Sequence, residues 1–253
     1  MKQTALLTNI FLSVFLLISC SKGGGDRTVD VSLASIATMT THTFTTTDNG
    51  HIGYWLYTPE NPTDNMPLII YLHGGSGRGS DLSLVTGASL PQFIRDGSVK
   101  DIPAYILMPQ CAADKTWEQI GAAVIELMEN IAVSKKINTD KVSITGHSFG
   151  GSGTWRLGAT YSTKFSCIAP LSGSVPASAA SAYSAIPVWA FAGANDTIID
   201  PSFSIAIIPL INNLGGNAQI KIYDHATHFE VPELTYKDHS VNILNWMISN
   251  SRR

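Results

Sequence analysis

Six consecutive residues, Gly146-His147-Ser148-Phe149-Gly150-Gly151, carry the strongest chemical signal in this 253-residue chain. A serine between two glycines, directly after the β-like run 141–145 and ahead of a helical stretch, has the context of a nucleophile elbow. The turn is so tight that a side chain at either flanking position would clash. The serine hydroxyl is thrust out at the carboxyl edge of a sheet, and the next helix points its N-terminus at any developing negative charge. The chemistry implied is attack by Ser148 on a carbonyl carbon.

A hydroxyl is a weak nucleophile until a base takes its proton, and the base must itself be oriented by an acid. After an elbow the partners follow in the order acid, then histidine. The acid belongs after the next-but-one strand. Residues 187–192 form that strand and run into Gly193-Ala194-Asn195-Asp196, so Asp196 is the candidate. Asp200 is its rival, but just before Pro201 it reads better as a helix N-cap. The base belongs after the last strand, 218–223. His228 is favoured over His225 because the extra residues let the loop fold back toward Ser148; His225 is then an exposed loop residue, and His239 reads as surface.

Transition-state charge needs hydrogen-bond donors. Tyr71-Leu72-His73-Gly74-Gly75-Ser76-Gly77 follows the earliest central strand, where a second oxyanion-hole loop belongs. The expected donors are the N–H of Phe149 and that of Gly75, with Ser76 as the alternative. His73 is expected to brace this loop by hydrogen bonding. His147, at the variable position of the elbow, and Trp117 are candidates for lining the substrate pocket. There is no His-x-x-x-His on a helix and no Cys-x-x-Cys pair, and His225 and His228 share a loop with no third ligand in view. Neither a metal nor a cofactor is expected.

These side chains need a scaffold that brings distant segments to one edge. Residues 43–47 and 53–57 predict an opening hairpin turning through Asp48-Asn49-Gly50. Apolar runs at 67–72, 104–108, 141–145, 167–171, 187–192 and 218–223 predict strands, the first covered on both faces. Ile120, Val124, Leu127 or Met128, and Ile131 repeat at helical spacing; 152–161 and 241–250 predict further helices. The alternation predicts an α/β fold with a mostly parallel, doubly wound sheet and helices on both faces. Only fifteen residues separate Leu171 from Pro187, so no large lid is expected and the site should be open.

Composition narrows the function further. Hydrophobic residues make up 44% and charged residues 14%, which suits a compact globular enzyme and excludes a disordered chain. A net charge of −3 without a basic block leaves nothing to attract a polyanion, so no nucleic-acid partner is expected. Met1-Lys2 and the apolar stretch 10–18 describe an export signal, too short to span a bilayer. It ends in Leu17-Ile18-Ser19-Cys20, which resembles the lipobox of bacterial lipoproteins and implies lipidation at Cys20. The chain is thus divided into a signal peptide (1–20), a flexible tether (21–35) and a catalytic domain (36–253). The expected location is the cell envelope, periplasm or cell surface, with membrane contact only through the Cys20 anchor; simple cleavage and release is the alternative. Of the two remaining cysteines, Cys167 falls in a strand expected to be buried, and no disulfide with Cys111 is expected.

Residues 145–155, with Lys164-Phe165 and Ala169-Pro170-Leu171-Ser172-Gly173, resemble the dienelactone hydrolase, esterase-D and "predicted peptidase" group of α/β-hydrolases. Pro109-Gln110-Cys111 with Trp117 is similar to a stretch common in that group. The resemblance covers about residues 68–229 and implies an α/β-hydrolase fold with Ser148 as nucleophile, Asp196 as acid and His228 as base. The group includes feruloyl and acetyl-xylan esterases and polyhydroxybutyrate-depolymerase-like enzymes, implying an ester substrate, small or attached to a polysaccharide. Departures bear on specificity: true dienelactone hydrolases use cysteine where Ser148 stands, relatives often carry His-Gly ahead of the acid loop, and a Trp is frequent near the base where Phe229-Glu230 follow. The same triad would serve a peptidase or acyl-peptide hydrolase, and a non-catalytic surface glycan-binding protein could occupy the same fold. Against the last stands the presence of every triad residue and both glycine loops.

Overall fold

The computed structural model describes residues 37–252. The expected export signal, Cys20 and the expected tether lie outside the described residues. Eight strands form one sheet: β1 (Thr38–Thr45), β2 (His51–Thr58), β3 (Leu68–Leu72), β4 (Tyr105–Pro109), β5 (Val142–His147), β6 (Cys167–Leu171), β7 (Val188–Gly193) and β8 (Ala218–Tyr223). Their spatial order is β1-β2-β4-β3-β5-β6-β7-β8. β1 pairs antiparallel with β2, and β2 with β4; every other pair is parallel. This is the expected α/β-hydrolase arrangement.

The described helices are α1 (Ser89–Arg95), α2 (Gly121–Ser134), α3 (Phe149–Thr160), α4 (Ser202–Asn213), α5 (Val231–Tyr236) and α6 (Ile243–Ser249). They cover both faces of the sheet, which is why β3, β4 and β6 are apolar without alternation, while β5 buries Ser143 and Thr145 on one face. Side chains of a strand point to opposite faces in turn, and β3 splits accordingly. Leu68, Ile70 and Leu72 join Val124, Leu127 and Ile131 of α2, Trp155 and Leu157 of α3, and Ile207 and Ile211 of α4. Ile69 and Tyr71 join Leu90 and Phe93 of α1, Val231 of α5, and Ile243 and Met247 of α6.

The strands fall within a few residues of their sequence-based positions, and the opening hairpin closes where expected, with the Thr46 N–H on the Gly50 carbonyl and Asn49 at φ 63°. Helix α3 starts at Phe149, earlier than the expected 152, because Gly150 and Gly151 are already helical. The helices α1 and α5 have no counterpart in the sequence reading. The Asp200 carboxylate accepts the Ser202 N–H at 2.8 Å just ahead of α4, whose N-cap is Pro201 rather than the expected Asp200. Between β6 and β7 runs only a short connection with a 3-10 turn over Ala177–Tyr183, so no lid domain is inserted there. Cys111 and Cys167 are both buried free thiols.

Candidate active site

Because β3 and β5 to β8 run parallel, their carboxyl ends share one edge, and the loops leaving them meet there. Ser148 leaves β5 with φ 61° and ψ −120°, a conformation rarely adopted by a residue other than glycine and costing on the order of 1–3 kcal/mol. Close backbone packing holds it. The Ser148 N–H donates to the Leu171 carbonyl at 3.0 Å. A Cβ on Gly150 would lie 1.9 Å from the Leu72 oxygen, and one on Gly151 2.1 Å from the Leu171 oxygen. Glycine at these positions lets the first turn of α3 press onto the ends of β3 and β6.

The loops after β7 and β8 bring Asp196 and His228 together: His228 Nδ1 lies 2.7 Å from Asp196 Oδ2, and both side chains are buried. Burial pushes the Asp196 carboxyl up, but the N–H groups of Ile199 and Ile198, each 2.9 Å from Oδ1, and the His228 hydrogen bond outweigh it, so the carboxyl stays below its ordinary range. An ionised Asp196 on Nδ1 requires the proton there, leaving Nε2 of a neutral His228 free to accept one. Among the described residues Nε2 makes no hydrogen bond, and none joins His228 to the Ser148 hydroxyl. His225 is exposed, its carbonyl accepting from Asn195, and His239 is exposed as well.

Two expected pocket residues have other surroundings. His147 is only 7% exposed; its Nε2–H donates to the His228 carbonyl at 2.8 Å, and the two rings lie 4.6 Å apart. It ties the elbow to the base loop rather than facing an open pocket. Burial, then the neighbouring His228, push its pKa down to about 4, so it is neutral. Trp117 is 1% exposed and packed between His73 (4.8 Å between ring centres) and Phe149 (6.0 Å), with its Nε1–H on the His73 carbonyl at 3.3 Å. Trp117 supports the floor of the site and is too enclosed to line a pocket.

The loop after β3 is clamped by groups that sequence alone only hinted at. The buried His73 donates from Nδ1 to the Gly74 carbonyl at 2.7 Å and accepts the Cys111 N–H at Nε2 at 3.0 Å. A carbonyl only accepts and an amide N–H only donates, so the tautomer is fixed; burial pushes the pKa down to about 4 and keeps the ring neutral. Gln110 donates its amide to the carbonyls of Gly77 (2.9 Å) and Asp81 (2.8 Å). The Arg78 guanidinium sits 5.1 Å from the centre of the Phe149 ring and donates to the Lys115 carbonyl at 2.9 Å. Thus braced, the loop brings Gly74 close to Ser148: a Cβ there would lie 3.7 Å from Ser148 Cβ. Neither the Gly75 N–H nor that of Phe149, the first residue of α3, has a partner among the described residues. The reading from sequence missed Gln110 as a clamp and Ile198 and Ile199 as donors to Asp196. The signal for the latter pair was an aspartate two and three residues ahead of them in a loop.

Residues 109–238 match the Phospholipase/Carboxylesterase family, a span that includes Ser148, Asp196 and His228. No curated protein matches the chain. Among solved structures, a thermostable esterase is 24% identical with a TM-score of 0.73; the similarity covers 85% of this chain and 63% of that one. A ferulic acid esterase is 14% identical with a TM-score of 0.64, over 85% of this chain and 99% of that one. An acylaminoacyl peptidase of Pyrococcus horikoshii is 13% identical with a TM-score of 0.62, over 85% of this chain but only 42% of the other. At these identities the likeness is one of fold. The family match takes in just over half of the 253 residues and, with the strand order of the sheet, settles the kinship: the chain belongs to the phospholipase/carboxylesterase family of α/β-hydrolases.

Proposed function

We propose that this hydrolase is an exported serine esterase that works through an acyl-enzyme on Ser148. The observation that carries the reading is the buried Asp196–His228 pair at 2.7 Å, on a loop that the His147–His228 hydrogen bond ties to the elbow where Ser148 takes a positive φ. In the first step His228 Nε2 takes the Ser148 proton as Oγ bonds to the ester carbonyl carbon. The carbonyl oxygen gains negative charge and is met by the N–H groups of Phe149 and Gly75. Collapse breaks the carbon–alkoxide bond, and His228 Nε2 passes its proton to the departing alcohol. Water then gives a proton to Nε2 while its oxygen attacks the acyl carbon, releasing the acid and returning the proton to Oγ. Asp196 stabilises the transient imidazolium and holds the tautomer.

Esters of carbohydrate are the proposed substrates. The fold-level likeness to a ferulic acid esterase and the short β6–β7 connection, which leaves room for a bulky alcohol, support that choice. Export and anchoring are proposed from the lipobox-like leader ending at Cys20. Hydrolysis of p-nitrophenyl and feruloyl esters, compared between wild type and Ser148→Ala, tests the chemistry. The variant should lose on the order of 10⁴–10⁶-fold in kcat and all labelling by a fluorophosphonate. Near-normal turnover would sink the scheme, and turnover of peptides alone would replace ester with amide. In the same cells, wild type should fractionate with membranes and Cys20→Ala should not; equal distribution would discard the anchor.

A further inference from the structure

We infer that Phe229 forms a stacking platform for the alcohol half of the substrate, selecting esters whose alcohol carries a ring with an apolar face. The inference rests on the proposed serine esterase chemistry and adds which half of the substrate this surface reads. Since Nδ1 of His228 holds Asp196, the proton for the leaving alcohol must come from Nε2. The leaving oxygen therefore sits against His228, and of the side chains beside that ring the alcohol can meet the solvent-exposed one, not the buried Asp196 or His147. The acyl half, bonded to Ser148, lies on the other side of the breaking bond.

Phe229 is the residue beside it. Its ring meets the His228 ring edge-on, at 5.3 Å between centres and 87° between planes, yet Phe229 is 73% exposed. A phenylalanine left in water forgoes most of the stabilisation that burial would provide, and this one is not on a loose loop. The preceding Thr227 donates its N–H and hydroxyl to the Glu230 carboxylate, both at 2.7 Å, closing the turn over Phe229. α5 begins at once at Val231, which is fully buried. The ring is thus presented rigidly, with a bare face, next to the group that handles the alcohol. A second bare apolar residue, Ile198, 57% exposed, flanks the acid two positions after Asp196, and with Phe203 it lines the cleft beside that loop. Each side of the acid–base pair therefore carries one bare apolar side chain among polar neighbours, whereas the loop that meets the oxyanion exposes the small Gly75 and Ser76. A ring with an apolar face, aryl or pyranose, is the chemistry that fits such a platform.

The test keeps the acyl group fixed as acetate and varies the alcohol: ethyl acetate, phenyl acetate and an acetylated methyl glycoside. For each, kcat/KM of Phe229→Ala is divided by that of wild type, which cancels the intrinsic reactivity of the esters. The ratio should be lower for the ring-bearing alcohols than for ethyl acetate by roughly 3–10-fold, carried by KM, and Phe229→Trp should restore it. A deficit with phenyl acetate alone marks the platform as aryl-selective; one with the glycoside alone marks it as sugar-selective. A second series with p-nitrophenol fixed and the acyl chain lengthened from acetate to butyrate should show no change in rank. An equal loss on every alcohol, a loss that follows the acyl chain, or no loss at all overturns the inference. If wild type turns over none of the esters and does not react with a fluorophosphonate, the esterase reading falls first and takes the platform with it; turnover without alcohol discrimination removes the platform alone.

Discussion

Asp196 and Asp200 show how much a single carboxylate's surroundings decide. Asp200 is exposed and accepts the Ser202 N–H just ahead of α4, a role that an asparagine oxygen performs equally well. Asp196 is buried, with two amide N–H groups on Oδ1 and the imidazole on Oδ2. An asparagine there would keep its oxygen on Ile198 and Ile199 and turn its NH2 toward His228. Nδ1 would then have to accept, the ring proton would move to Nε2, and the base could no longer take a proton from Ser148. Asp196→Asn should therefore lower kcat/KM on p-nitrophenyl acetate on the order of 10⁴-fold with little loss of Tm, while Asp200→Asn stays within about two-fold of wild type. Comparable losses in the two variants would show that the acid has been misassigned.

The elbow and its companion loop are separate elements with different tolerances. Gly150 packs backbone against backbone: its added Cβ would lie 1.9 Å from the Leu72 oxygen and 2.7 Å from the His73 oxygen. Gly75 has nothing within 4 Å of an added Cβ. Gly150→Ala must prise α3 from β3 and should lower the thermal midpoint by at least several degrees, whereas Gly75→Ala should unfold within about two degrees of wild type. Thermal scans followed by circular dichroism decide it; an unchanged midpoint for Gly150→Ala would refute the packing argument. Much of this layer was legible in advance. Gly146 and Gly150 around Ser148, after the strand-like run 141–145, announce strand, turn and helix, because each demand is local. The short helices α1 and α5 were not: tertiary burial of Leu90, Phe93 and Val231, rather than a periodic run, makes them helices. Trp117 shows the same limit at the site: sequence supplies an aromatic residue and not the direction it faces. His73 as a brace was foreseen, but its partner Cys111 is thirty-eight residues away and nothing local names it.

At the scale of the whole molecule, two neutral buried histidines link the edge where the loops meet. His73, just past β3, accepts from Cys111 just past β4, and His147, at the end of β5, reaches the loop after β8. Both are pushed down to about 4 from an ordinary 6.5, chiefly by burial. In the unfolded chain they take up protons as the pH falls through about 6.5, while in the folded protein they resist until about 4. Between those values the unfolded state binds more protons, so stability must fall as the solution is acidified from about 6.5 to about 4, at most about 1.4 kcal/mol per pH unit for each histidine. Above about 6.5 both states hold these rings neutral and the contribution is constant. Below about 4 the carboxylates held low, Asp196 among them, take over the acid dependence. Urea midpoints measured at pH 7.0, 6.0 and 4.5 should therefore decline between the last two, and His73→Asn or His147→Asn should each flatten the decline by about one proton. A protonated His73 could no longer accept the Cys111 N–H, so the loop that carries Gly75 should loosen in the same window, and faster amide exchange at Cys111 would report it. A midpoint independent of pH from 7.0 to 4.5 would mean that these rings do not enter the folded state neutral, and the fixed tautomers on which both loop clamps depend would fail with it.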